Sequence, residues 1–73
     1  MSSKVQAILF DKRLYTCNSA LHWVYQHKYI PLKVDVTKKY YRFRLMQPSS
    51  YYYYRTYPIT TGIKFILAYP RSV

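Results

Sequence analysis

An excess of positive charge constrains the folding of this chain more than any other feature of its sequence. Twelve Lys and Arg residues stand against two Asp and no Glu in 73 residues, which gives a formal net charge of +10. Such charge repels itself and destabilises a compact state. Apolar residues nevertheless make up 51% of the chain, which is too many for a disordered basic tail. We therefore predict one small basic domain over residues 1–73. Its core is small, so its stability is expected to be marginal, and binding a polyanion would stabilise it by relieving the charge repulsion.

Four segments have the apolar content or the alternation that is typical of strands: residues 5–10, 32–37, 40–47 and 63–69. Alternation is clearest in the third segment, whose apolar and basic side chains take turns. Residues 51–57 are Tyr-rich, and because Tyr occurs in both helices and strands we interpret them as a short helix or loop.

A helical spacing of apolar residues lies between the first two strands. Thr16, Asn18 and Ser19 are candidate N-caps, and the pattern ends at Lys28, before Pro31. The element order is therefore strand, helix, strand, strand, short helix or loop, strand. It predicts an α+β fold, with a single-layer, mostly antiparallel sheet of about four strands and one helix packed on it. A compressed split β-α-β arrangement is one form of this fold.

Short motifs form a series along the chain: residues 5–12, Tyr15, Thr16, Ala20, Trp23, His27, Tyr29, residues 33–35, residues 40–44, Arg55, Thr56 and residues 62–64. In this order they resemble a small uncharacterised basic domain shared by large double-stranded DNA viruses of eukaryotes and tailed phages. The resemblance covers about residues 5–69. It implies a viral accessory protein of the host cytoplasm or nucleus, in a viral factory or packaged in the virion, and not a secreted one. Tyr51–Tyr54 departs from the family pattern, in which Lys or Phe is mixed into this segment.

Basic side chains are expected to gather on one face of the sheet around a tyrosine. Such a face can neutralise phosphates while the ring stacks on a base. The alternative is a solvated face that only keeps a sheet edge soluble. We predict non-specific binding of nucleic acid, DNA more than RNA, through Lys33, Lys38, Lys39, Tyr40, Arg42, Arg44, Arg55 and Lys64.

The tyrosine-rich segment predicts a protein interface, because Tyr and Arg are favoured at the centres of interfaces. The residues concerned are Tyr51, Tyr52, Tyr53, Tyr54 and Tyr57. We expect a homodimer, although some of these rings could instead pack on the sheet. The alternative function is a structural or protein-interaction module that self-associates or docks on a viral or host protein and has no direct role with nucleic acid.

The composition offers little for catalysis or cofactor binding. Asp11 and Asp35 are the two carboxylate side chains, and Asp35 is expected to pair with a basic residue across the sheet. Cys17 is expected to be a buried thiol, and no spacing of Cys and His suggests a zinc site. We therefore predict no enzyme activity, no metal and no cofactor. We also predict no membrane insertion, since no stretch approaches the roughly 20 apolar residues that span a bilayer.

Overall fold

Five strands and one helix make up the regular structure of residues 3–71, the part of the chain that the computed structural model describes. Residues 1–2 and 72–73 of the predicted domain lie outside the described residues. The elements in chain order are β1 (Lys4–Asp11), α1 (Cys17–Gln26), β2 (Lys33–Val36), β3 (Tyr40–Arg44), β4 (Tyr52–Thr60) and β5 (Ile63–Pro70). They form one sheet in the order β2-β3-β1-β5-β4. The predicted α+β class is confirmed.

Neighbouring strands of the sheet are antiparallel throughout. Since β3 lies between β1 and β2 and opposes both, β1 and β2 run parallel to each other. The helix connects these two parallel strands, so β1, α1 and β2 form a split β-α-β unit.

The helix covers the centre of one sheet face, and the core lies between them. Its fully buried residues come from β1, α1, β3 and β5: Ile8, Phe10, Ala20, Val24, Phe43 and Ile63. Phe10 makes edge-to-face contacts with Phe43 and Trp23, with ring centroids 5.4 and 5.6 Å apart. Aromatic packing of this kind stabilises a core beyond the area it buries. Opposite this helix-covered face, the other face of the sheet has no helix or strand packed on it among residues 3–71. The β3–β4 connection approaches this second face, because the Tyr54 hydroxyl accepts a hydrogen bond from the Ser49 N–H and donates one to the Ser49 carbonyl.

Thr16 is the N-cap of the helix. Its hydroxyl accepts a hydrogen bond from the Ser19 backbone N–H, while the Ser19 hydroxyl accepts one from the Thr16 N–H. This reciprocal arrangement satisfies two backbone donors that a helix start would otherwise leave without partners. The helix ends at Gln26, and His27 is its C-cap.

The prediction of a short helix or loop over residues 51–57 was wrong, and so was the count of about four strands. Most of this segment belongs to β4, a nine-residue edge strand paired with β5. Tyr and Thr favour strands but also occur in helices, so their local preference is weak. Pairing with β5 determines that the segment is a strand. Pro58 is tolerated because edge strands can accept a residue without a backbone N–H.

Three turns meet at one end of the sheet. The Asp11 N–H donates to the Gly62 carbonyl at 2.8 Å, and the Lys12 N–H donates to the Lys39 carbonyl at 3.0 Å. Gly62 has φ +83, and a Cβ there would lie 2.8 Å from Cδ1 of Leu14. The backbone conformation therefore favours glycine here, and a side chain would also have to displace Leu14 of the β1–α1 turn.

Candidate nucleic-acid interface

Strand register determines which side chains lie on the uncovered side of the sheet, here called the open face. Since directly opposed residues share a face, one row across it runs Lys33, Arg44, Ala7, Ile66 and Thr56. The next row runs Asp35, Arg42, Leu9, Lys64 and Pro58. The alternating residues of the same strands, such as Phe43 and Ile8, pack into the core.

The open face has three zones. Its β2–β3 side is basic, and its middle, on β1 and β5, is an apolar floor of the half-buried Leu9 and Ile66, beside which Ala7 and Ala68 are fully buried. The β4 side carries Tyr52 and Tyr54. Strands are spaced about 4.8 Å apart, so β3 and β4, which are three strands apart, are separated by roughly 14 Å. The basic and tyrosine zones could therefore contact different parts of one extended ligand.

Asp35 organises the basic zone. Its carboxylate lies 2.8 Å from Nε of Arg44 and 3.7 Å from Nζ of Lys33. The expected cross-strand pairing of Asp35 is thus found. The pairing holds both cations on the open face and reduces their net charge.

Arg42 differs from its neighbours because it forms no ion pair among the described residues. It lies between Asp35 on β2 and Leu9 on β1, and its Nε is buried without a hydrogen-bond partner in residues 3–71. A buried guanidinium N–H that lacks a partner is costly, and an anionic ligand would satisfy it. Arg42 is therefore a cation of this face whose charge no carboxylate of the described residues offsets.

Tyr40 and Lys64 are coupled across β1. The Lys64 ammonium donates to the Tyr40 hydroxyl at 2.9 Å and lies 5.3 Å from the centre of its ring. The half-buried ring is thereby held in place beside a cation. An aromatic ring next to a positive charge can receive a base and its phosphate together.

The eight predicted contact residues do not form one continuous surface. Lys33, Tyr40, Arg42, Arg44 and Lys64 lie together on the open face. Lys38 and Lys39 occupy the β2–β3 turn at its end. Arg55 is opposed to Leu67 and lies on the other side of the sheet, 5.7 Å from the ring of Tyr53. A ligand lying on the open face does not reach Arg55.

The predicted tyrosine interface is also divided, because a strand sends alternate side chains to opposite faces. Tyr52 and Tyr54 face the open side, and Tyr53 and Tyr57 the other. Tyr51 precedes the strand and is 55% exposed. Tyr53 and Tyr57 remain exposed because the helix contacts the centre of the sheet and not β4.

Sequence reasoning overlooked several open-face residues. Lys4 opposes Ala68 at the end of the face remote from the turns, and Leu9 and Ile66 form the floor. Tyr52 and Tyr54 were assigned to a protein interface and not to this face. Strand periodicity over residues 52–57 would have placed both tyrosines correctly.

The remaining chemistry-bearing residues are scattered. The described residues contain no group of three His, Cys, Asp or Glu side chains that could hold a metal ion. Cys17 is exposed, contrary to the expected buried thiol, because it lies in the first turn of α1. The His27 ring stacks on Trp23 with ring centroids 3.7 Å apart, and its Nδ1 lies 2.8 Å from the Trp23 carbonyl oxygen.

The helical structure described in residues 3–71 includes no helix long and apolar enough to cross a membrane. Comparisons with protein-family models, with curated proteins and with solved structures found no match to this chain. The resemblance to a viral domain therefore stays a prediction. The open face and its charges are the structural basis for a proposal of function.

Proposed function

We propose that this protein binds nucleic acid non-specifically through its open face, and that it prefers DNA to RNA. One observation carries the proposal: strand register collects Lys33, Arg42, Arg44 and Lys64 on the same face as Tyr40, and no helix or strand of residues 3–71 covers that face. The preference for DNA rests on the resemblance to domains of double-stranded DNA viruses. The same resemblance supports a viral accessory protein.

The mechanism is electrostatic with an added contribution from stacking. Lys and Arg side chains neutralise phosphates and release their counterions, so affinity falls steeply with salt concentration. The face contributes no helix that could enter a groove and read base edges, so little sequence preference is expected. Stacking on Tyr40 and contact with the apolar floor both require unstacked bases, which favours single-stranded over double-stranded DNA.

Fluorescence anisotropy with labelled single-stranded DNA, double-stranded DNA and RNA of equal length tests the proposal. We expect the tightest binding to single-stranded DNA, with the logarithm of the affinity falling linearly with the logarithm of salt concentration. The slope gives the number of phosphates engaged. Absence of binding at low salt, or binding that salt does not weaken, would contradict the proposal.

A second candidate function is self-association through β4, and backbone geometry favours it. The Arg71 N–H donates to the Tyr51 carbonyl, so alternate residues from Tyr51 direct their backbone groups toward β5. The backbone groups of Tyr54 and Thr56 consequently point away from the sheet. An edge strand of this kind can pair with another strand. We propose that its partner is the β4 of a second copy, because Arg55 is the only charged residue of the strand and β4 therefore minimises repulsion.

Sedimentation velocity over a range of concentrations tests this pairing. A homodimer is expected, and Thr56→Pro should make it monomeric, since it removes an outward N–H and leaves pairing with β5 intact. A monomer at all concentrations would contradict the second candidate. If Arg42→Glu abolishes DNA binding and leaves the dimer unchanged, the two functions are separate.

A further inference from the structure

A cleft of about 350 Å³ lies at the turn end of the sheet, beside the open face. It is here called the terminal cleft, and its lining residues are Asp11, Lys12, Arg13, Lys38, Lys39 and Tyr40. Four basic residues and one carboxylate therefore line a small concave site. Tyr40 belongs to both the terminal cleft and the open face, so a ligand could pass from one to the other without a break.

Two of these cations are held in place by the protein. Arg13 donates from both Nε and Nη2 to the Asp11 carboxylate, at 3.1 and 2.8 Å. Lys12 donates to the Thr37 carbonyl at 3.1 Å and lies 5.7 Å from the ring of Tyr41. The β1–α1 turn is thereby fixed against the β2–β3 turn, and the walls of the cleft are formed before any ligand arrives.

Lys38 and Lys39 supply the uncommitted charge. Both are exposed, and within residues 3–71 neither side chain forms an ion pair or a hydrogen bond. Asp11 is already neutralised by Arg13, whose hydrogen bond lowers the pKa of that carboxyl from 3.8 to about 2. The residues that line the cleft therefore carry a net positive charge at neutral pH, and two of them are exposed lysines without a partner among residues 3–71.

We propose that the terminal cleft binds the terminal phosphate monoester of a nucleic-acid strand that lies on the open face. A monoester has three free oxygens and a charge of about −1.5 to −2 at pH 7, which suits cations that converge from two turns. An internal diester has a single charge and needs an exit for the chain on both sides, which an open sheet provides better than a cleft. The proposal rests on the proposed function and adds that this protein recognises strand ends.

Binding of matched oligonucleotides tests the proposal. Single-stranded DNA of one sequence is prepared with a 5′-phosphate, with a 3′-phosphate and with neither. A further oligonucleotide without a terminal phosphate is two nucleotides longer, so that it matches the added charge. We expect one phosphorylated end to bind about tenfold more tightly than both unphosphorylated oligonucleotides, the effect of one charge-assisted hydrogen bond. Equal affinities for all four would overturn the proposal and leave the proposed function standing.

Two variants test whether the preference for a phosphorylated end arises in the terminal cleft. Lys38→Ala combined with Lys39→Ala should abolish the preference for a phosphorylated end. Lys4→Ala removes a cation from the opposite end of the open face, so it should weaken all oligonucleotides alike and keep the preference. Loss of the preference in Lys4→Ala, or its persistence in the double variant, would place the site elsewhere.

The cleft is testable even if oligonucleotides do not bind and the proposed function fails. In an NMR titration with thymidine 5′-monophosphate, we expect saturable amide shifts in residues 11–13 and 37–40, with none for thymidine. Absence of such shifts would refute the phosphate site. If the mononucleotide binds and phosphorylated strands gain nothing, the cleft is a site for free nucleotides and the strand-end proposal is wrong.

Discussion

The two faces of the sheet are built from the same strands and differ in almost every property. Phe10 and Phe43 on the helix-covered face are fully buried, whereas Leu9 and Arg42, their immediate neighbours in the chain, lie on the open face. One face is apolar and packed, and the other places cations around an apolar floor. Successive side chains of a strand point to opposite faces, so the residues that stabilise the core and the residues of the proposed binding surface alternate along the chain. Substitutions at adjacent positions should therefore have different consequences.

The largest effect is expected for Phe10→Ala on the covered face. It removes a ring that contacts Tyr15, Trp23 and Phe43, and such truncations cost about 3–5 kcal/mol of unfolding free energy. That loss would unfold much of a domain this small. Urea denaturation followed by circular dichroism measures it. Leu9→Ala, one residue away on the open face, is the matched control and should cost far less; equal losses would contradict the division between faces.

The next largest effect is a difference between substitutions of two neighbouring tyrosines, Tyr40 on the open face and Tyr41 on the covered face. Tyr40→Ala should weaken binding of single-stranded DNA by about 1–3 kcal/mol, the usual contribution of one base stacked on an aromatic ring, with little loss of stability. Tyr41 packs against the core, so Tyr41→Ala should lower the unfolding free energy and leave the affinity of the folded protein nearly unchanged. Anisotropy and urea titrations of both variants measure the two quantities. The reverse pattern would show that the faces are misassigned.

The smallest effect concerns pH, at the turn end of the open face. The Arg13 hydrogen bond lowers the pKa of Asp11 to about 2, below its ordinary value of 3.8. A lowered carboxyl pKa stabilises the folded state above the unfolded-state value, and this contribution is lost as the pH falls from about 4 to about 2. NMR titration of the Asp11 carboxyl measures the shift. Arg13→Gln should return the pKa toward 3.8, and an unchanged pKa would contradict the assigned cause.

The division between the two faces could be predicted from the sequence in strands where apolar and basic residues alternate strictly. Residues 40–44 alternate without interruption, so both the strand and the shared face of Tyr40, Arg42 and Arg44 were predicted correctly. Thr16 was one of three candidate N-caps, and the structure shows that it is the one used; the helix ends at Gln26, two residues before the predicted end at Lys28. Local patterns of this kind depend on short-range periodicity and capping.

β4 could not be predicted, because its conformation depends on a partner strand. Pro58 argues against a central strand, and only the sheet order shows that β4 lies at an edge, where Pro is allowed. Once the strand was missed, the faces of its residues could not be assigned. Arg55 was therefore grouped with the open-face cations, and Tyr54 was separated from them.

The most direct test of the central claim compares Arg42→Glu with Arg55→Glu. Both variants change the net charge by the same amount, but Arg42 lies on the open face and Arg55 on the opposite face. Anisotropy with single-stranded DNA at one salt concentration measures the affinity of each. If the open face binds nucleic acid, Arg42→Glu should lose at least tenfold more affinity than Arg55→Glu. Equal losses would mean that overall charge, and not this face, attracts the nucleic acid.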